Sequence, residues 1–302
     1  MDTILNNKKK GIAAALFCMF LWGSAFPVLK LSYEELNIPA DDFMTKIYFA
    51  GIRFFLSGIL VFLYSFFFTK TKGGKVDLKF LLLLGLVQTT IQYLFFYIGV
   101  GNTSGVKSSI LQASSTFLIV LFSHFVFKDD PLSLRKIIAL AFGFGGIFAA
   151  NISMGLDFSF RLTGEGFLLM SSLANALGTI IVKLKGKDMN PLTLTLGQMI
   201  FGSFLLLIPG KIFKHSPLMW TPFAIVLLFY SAFISAAAFT LWYELLKHYK
   251  SGEISVYQLF IPIFGSFLSL ALLPGEYLNY NLIIGLILVC IGIWILNRKR
   301  FL

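Results

Sequence analysis

Ten runs of mostly apolar residues leave this 302-residue chain few ways to fold. They lie near 12–31, 45–68, 80–100, 105–127, 136–151, 166–183, 192–209, 221–245, 254–273 and 281–296. About 20 apolar residues at 1.5 Å each cross the hydrocarbon core of a bilayer, so each run is a candidate membrane span. The connections are only about 5 to 15 residues long, which leaves no room for a separate soluble domain. Function must therefore sit inside the bundle or at its mouths. Composition agrees: the chain is 57% hydrophobic and 13% charged, with 35 Phe, where soluble domains carry about 25% charge. The expected fold class is an all-α membrane protein of ten transmembrane helices.

An internal repeat sharpens this. The stretch from Ser104 to Ala150 recurs, diverged, 147 residues later: Ser104-Gly105 falls on Ser251-Gly252, Phe117 on Phe264, Leu121 on Leu268 and Gly145 on Gly292. Earlier in each half, Gly11 to Lys30 aligns with Gly166 to Lys185 at an offset of 155, pairing Gly23 with Gly178. Span two meets span seven at about 145, which sets Arg53 opposite Gln198. The expected division is residues 1–151 and 152–302, each a five-helix repeat. An odd number of spans per half turns the second half upside down in the membrane. Inverted repeats of this kind are typical of secondary transporters, with the site at the interface between halves.

Charge supplies the orientation. With the N-terminus inside, 18 of the 25 Lys and Arg fall in cytoplasmic segments, among them Lys8 to Lys10, Lys128, Arg135, Lys136, Lys183 and Arg298 to Arg300. The positive-inside rule then puts both termini in the cytoplasm of a cell (inner) membrane protein. The net charge of +11 is thus explained by topology and not by nucleic acid. Cys18 and Cys290 lie inside apolar spans, far apart, and read as buried small hydrophobes. Lys8 to Lys10 before an apolar run resembles a signal peptide, but no small-residue cleavage site closes the run, so it reads as span one.

Several of these residues carry a resemblance. Trp22-Gly23-Ser24 with Pro27, Arg53, the acidic turns Lys128-Asp129 and Gly275-Glu276, and Pro262 resemble the drug/metabolite transporter superfamily, and within it the ten-span EamA-type branch. The likeness covers nearly the whole chain and is architectural. Ser115 stands where the family often has a proline in span four, and the first acidic turn reads Lys-Asp-Asp instead of Gly-Glu. The resemblance implies export of amino acids and related metabolites.

The residues able to carry chemistry fall on the spans. Lys107 sits a few residues into span four with no acid nearby in sequence. It reads either as a contact for carboxylate or phosphate or as a cation snorkelling to headgroups. Arg53, about eight residues into span two, reads as a fork for an anionic substrate group or as a clamp on helix backbone. Span three carries Gln88, Gln92, Thr89 and Tyr93 on adjoining faces. Span four adds Ser108, Gln112 and Ser115, span six Ser171, Asn175 and Thr179, and span nine Ser255, Gln258 and Pro262. These stripes point to a hydrated central cavity, with interhelical hydrogen bonding as the alternative. Trp22, Tyr93, Trp242 and Tyr243 are the aromatic candidates, and Ser24 joins them from the Trp-Gly-Ser stretch. Glu244, followed by Lys247 and His248, reads as a snorkelled ion pair near a span end.

No His-Glu-x-x-His or other metal spacing occurs, and Gly143-Phe144-Gly145-Gly146 follows no strand, so no metal or cofactor is expected. The leading reading is a secondary transporter, exporting small organic metabolites such as amino acids by alternating access. Its partners are the lipid bilayer and a metabolite for which Arg53 and Lys107 favour a carboxylate, and a homodimer is left open. The cavity would be lined by spans one, three, four, six, eight and nine, with Gly99, Gly101, Gly105 and Gly252 as hinges. The competing reading, a membrane-embedded lipid-processing enzyme, lacks its catalytic residues: His124, His215 and His248 are scattered, and Asp129-Asp130 lies in a turn.

Overall fold

A computed structural model describes residues 8–39, 41–68, 76–102, 105–151, 160–273 and 280–297. Among them the chain is helical, without strands. The first half holds α1 (Lys8–Glu35), α2 (Phe43–Phe68), α3, α4 (Gly105–Val126) and α5 (Leu134–Asn151). Here α3 runs through Leu78–Leu84, Gly85–Ile91 and Gln92–Gly101 without a break. The second half holds α6 (Leu162–Gly166 into Phe167–Lys185), α7 (Pro191–Phe213), α8 (Pro222–His248), α9 (Ser251–Ile254, Ser255–Leu259, Phe260–Leu272) and α10 (Tyr280–Asn297). Six of these, α1, α2, α3, α6, α7 and α8, are long and apolar enough to cross a membrane, and α4 and α10 contain shorter apolar stretches. The protein is therefore a multi-pass membrane protein.

Local chemistry sets the helix boundaries and irregularities. Asn190 Oδ1 accepts from Leu192 N at 2.9 Å and Thr221 Oγ1 from Ala224 N at 3.0 Å. A proline follows each cap at the first helical position, where its missing N–H costs nothing. In α3 the wide turn Gly85–Ile91 is pinned by Thr90, whose hydroxyl contacts the carbonyls of Gly85 (3.2 Å) and Gly202 (3.1 Å). In α9 the tight turn Ser255–Leu259 comes just before Pro262, which has no N–H to donate back to Gln258. Both irregular turns carry residues of the site below.

The helix contacts mirror one another. α2 lies along α7 and α5 along α10; α1 packs on α8 and α9, and α6 packs on α3 and α4. Exchanging α1–α5 for α6–α10 returns the same set. α5 and α10, expected as outer supports, pack mainly on each other. One consequence corrects the sequence reading: Cys18 is buried, but Cys290 is exposed, because α10 gives one face to α5 and the other to the surroundings.

Polar ties join helices at both ends. At the end where α1 begins, Asp130 Oδ2 accepts from Gly252 N at 2.7 Å, Lys136 pairs with Asp130 Oδ1, and the Ser123 and Ser251 hydroxyls meet at 2.8 Å. Of the first acidic turn it is Asp130, 1% exposed, that makes these contacts, and not Asp129. Lys183 at the end of α6 caps the carbonyls of Leu246 and Tyr249 that close α8, and the Tyr249 ring lies against Gly11. The counterpart turn Gly275-Glu276 lies outside the described residues. At the other end Ser216 N donates to Asp42 Oδ2 at 3.0 Å, and Thr221 Oγ1 donates to Glu35 Oε2 at 2.7 Å.

Candidate substrate cavity

Between the two sets of five helices lies a cavity of about 830 Å³ of atom-free space, its open mouth included. Its lining residues fall in the middle turns of their helices and in the half away from α1's start. α1 supplies Trp22, Phe26 and Leu29; α3 supplies Gln92, Tyr93 and Phe96; α4 supplies Gln112, Ser115 and Thr116. Arg53 comes from α2, Asn175 from α6, Phe239 from α8, and Gln258, Ile261 and Pro262 from α9. The aromatic lining interlocks edge to face: Trp22 meets Phe239 at 5.4 Å, Phe26 meets Phe96 at 6.2 Å between ring centroids, and behind the lining Trp242 packs on Trp22 at 5.6 Å.

The polar groups come from five helices. Arg53 on α2 is 2% exposed. It donates from Nε to Ser231 O at 3.2 Å, from Nη1 to Tyr97 Oη at 3.3 Å and from Nη2 to Ser235 Oγ at 2.9 Å. All three partners are neutral, so the charge is solvated but not cancelled. Beside it Gln88 Nε2 donates to Gln92 Oε1 at 3.0 Å and to Asn175 Oδ1 at 2.9 Å. Gln92 and Asn175 accept through their oxygens and each keep an amide NH2 able to donate. Gln112 Oε1 and Thr116 Oγ1 on α4, Gln258 Oε1 on α9 and Gln88 Oε1 on α3 are buried without a hydrogen-bond partner, and α6 packs directly on α4, where Ser172 Oγ donates to Leu111 O at 3.1 Å. A cation and unpaired acceptors thus share one lining, and unpaired buried acceptors await donors from a ligand or water.

Of the residues singled out from the sequence, Trp22, Arg53, Gln92, Tyr93, Gln112, Asn175 and Gln258 come together here. Gln88 stands one layer behind them as the orienter of two amides. Ser24 does not line the cavity: its hydroxyl donates to Leu21 O at 2.8 Å and accepts from Tyr230 Oη at 3.0 Å, toward α8. The Lys107 side chain lies outside the described residues. Glu244 is 6% exposed and pairs with His248 at 3.2 Å, away from the cavity, so it is a buried partner and not a snorkelled one. Phe96 and Thr116 were missed, although each stands four residues beyond a chosen glutamine on the same helical face.

A bundle of apolar helices around a central cavity, polar inside and tied shut at one end, is the layout of a membrane transporter. The chain belongs to the EamA-like transporter family, whose profile matches residues 9–152 and again 162–298. It is 26% identical over 289 residues to an uncharacterized transporter, YvbV, of Bacillus subtilis, covering 94% of this chain and 90% of the relative. It is 25% identical over 303 residues to a probable amino-acid metabolite efflux pump of Escherichia coli, covering 96% and 95%. A crystal structure of another protein shares the fold at a TM-score of 0.77 and 14% identity, over 96% of this chain and 98% of that one. The family and these named relatives are transporters, which sets aside the membrane-embedded enzyme.

Proposed function

We propose that this protein is a secondary transporter exporting small carboxylate-bearing metabolites, amino acids foremost, across the inner membrane by alternating access. The observation that carries this is a buried cation and unpaired acceptors gathered around one cavity. Arg53 with the amide N–H groups of Gln92 and Asn175 suits a carboxylate, and the unpaired oxygens of Gln112 and Gln258 suit an ammonium. The aromatic rings beside them suit the apolar body of such a solute. Ten spans in two inverted repeats, 1–151 and 152–302, account for the mirrored contacts and for the twofold family match. Cytoplasmic termini follow from the Lys and Arg gathered at that end. Export is the direction named for the Escherichia coli relative.

Counterflow in liposomes tests this, with labelled zwitterionic amino acids, inorganic phosphate and cationic polyamines offered in parallel. The zwitterions should exchange at least about tenfold faster than the polyamines, since among the described residues no acid lines the cavity to hold a second cation. Preference for polyamines, or no movement of any class by folded protein, overturns the reading.

A further inference from the structure

The corner around Gln198 in α7 repeats the corner around Arg53 in α2, and only one of them now faces the cavity. The register that sets Arg53 on Gln198 is 145 residues, and α3 meets α8 at 146, which sets Tyr97 on Tyr243 and Thr89 on Ser235. The hydrogen bonds follow the same register. Arg53 donates to Tyr97 Oη across α2 and α3, and Tyr243 Oη donates to Gln198 Oε1 across α8 and α7. Not every bond has a mate: Arg53 Nε donates to Ser231 O, and no such bond joins the Gln198 side chain to the counterpart Gly85. Arg53 Nη2 donates to Ser235 Oγ, but the equivalent groups, Gln198 Nε2 and Thr89 Oγ1, have no hydrogen-bond partner although both side chains are 0% exposed. A donor and an acceptor left idle in a dry interior call for an explanation.

The position of the cavity supplies one. Two pairs of mates, Tyr93 with Phe239 and Ser115 with Pro262, both line it and mark its centre. Away from the centre the pairs split: Arg53 and Phe96 line the cavity, while their mates Gln198 and Trp242 are buried, at 0% and 2% exposure. The cavity is thus displaced toward the end opposite the termini. If the two halves exchange conformations, the displacement reverses and the second set of mates is uncovered.

We infer that Gln198, Thr89 and Tyr243 form a second substrate-facing corner, which lines the cavity when it opens at the end carrying the termini. There the anionic group of the substrate meets neutral hydrogen-bond donors where Arg53 offers charge. This rests on the alternating-access reading above. It makes the site electrically lopsided: an anion is attracted from one side of the membrane and merely accommodated from the other.

The test needs no known substrate. In full-length protein carrying Cys18→Ala and Cys290→Ser, reconstituted in liposomes with reagent on both faces, single cysteines replace the mates Phe96 and Trp242. Each is labelled with anionic sulfonatoethyl and cationic trimethylammonioethyl methanethiosulfonate, and rates are normalised to those with a free thiol. Labelling is repeated with Asp130→Ala, which cuts the tie to Gly252. Phe96→Cys should favour the anionic reagent by about tenfold, a preference lost in Arg53→Gln. Trp242→Cys should react without charge preference, and faster with Asp130→Ala. Thr89→Cys, a smaller change beside Gln198, gives the same readout where Trp242→Cys does not fold. Background labelling at both Trp242→Cys and Thr89→Cys, with Asp130 intact or removed, overturns the inference while Phe96→Cys still reports a live cavity. Silence at Phe96→Cys as well would bring down the transport reading itself.

Discussion

The proposed repeat sets the Arg53 corner and the Gln198 corner in equivalent places, yet one holds a cation beside the cavity and the other a neutral amide sealed from it. Each is fastened to a tyrosine on the next helix, Tyr97 or Tyr243. A neutral amide survives burial at modest cost. A guanidinium whose partners are all neutral does not, unless water or an anion reaches it. The difference teaches that the repeat sets the frame, whereas a single charge decides which corner has to stay wet.

The largest effect should come from abolishing that difference. Arg53→Gln makes the two corners chemically alike and removes the charge-assisted half of substrate binding, worth about 1.5–3 kcal/mol for a hydrogen bond to a charged group. Counterflow of zwitterionic amino acids should fall by at least about tenfold. The melting temperature should hold or rise, because an uncancelled buried charge has gone. A variant that transports normally would reduce Arg53 to a clamp between α2 and α8.

A second contrast sharpens the comparison through glycine mates. A Cβ on Gly23 would lie 2.7 Å from Phe264 Cβ and 2.9 Å from Gly265 N, so Gly23→Ala pushes α1 off the backbone of α9. Gly178 faces a side chain instead: a Cβ there would fall 1.5 Å from Gln88 Oε1. Gly23→Ala should cost about 1–3 kcal/mol in detergent melts. Gly178→Ala should cost about 1 kcal/mol, because Gln88 can swing aside at the loss of its bonds to Gln92 and Asn175. Transport should fall in both, but only in Gly178→Ala out of proportion to stability. Equal stability losses would mean that α6 and α1 are gripped alike.

That the chain is all-helical and crosses a membrane several times was legible in the sequence, because long apolar runs leave a strong trace. The pairing of Arg53 with Gln198 was visible too, since the offset near 145 carries through span two. The pairing of Tyr97 with Tyr243 was not: Gln88 and Gln92 of α3 meet Ile234 and Ala238 of α8, so little else marks the register. Facing was the weaker inference. Ser24 and Trp22 are two residues apart, and only the rotation of α1 against α8 turns one to Tyr230 and the other to the cavity. Cys290 misled for a related reason, since a span apolar all round does not say which face meets a neighbour. Asp129 and Asp130 are adjacent, and only the turn's path selects the one that reaches Gly252.

The smallest effect concerns the two ends. Each is tied by a buried acid, but Asp130 accepts from the Lys136 ammonium, while Asp42 accepts from the Thr45 hydroxyl and from the N–H groups of Thr45 and Ser216. Burial pushes the Asp42 carboxyl up, yet the bonds from Thr45 and Ser216 outweigh it and hold the group below the ordinary carboxylate value. A carboxyl lowered on folding adds stability that is complete above its unfolded value and is lost as pH falls through the folded one. Melting temperature should therefore stay level through neutral pH and decline below about pH 4. Asp42→Ala should lower stability near neutrality by about 1 kcal/mol, the usual worth of a helix cap, since Asp42 Oδ1 also caps α2 at Thr45 N. Asp42→Asn keeps the cap at Thr45 N but loses the bond from Ser216 N, since an amide nitrogen cannot accept it, and should also lose the Asp42 share of the acid decline. An acid decline identical in Asp42→Asn would assign it to other carboxyls and leave this end indifferent to pH, with Asp42 acting as a neutral cap would.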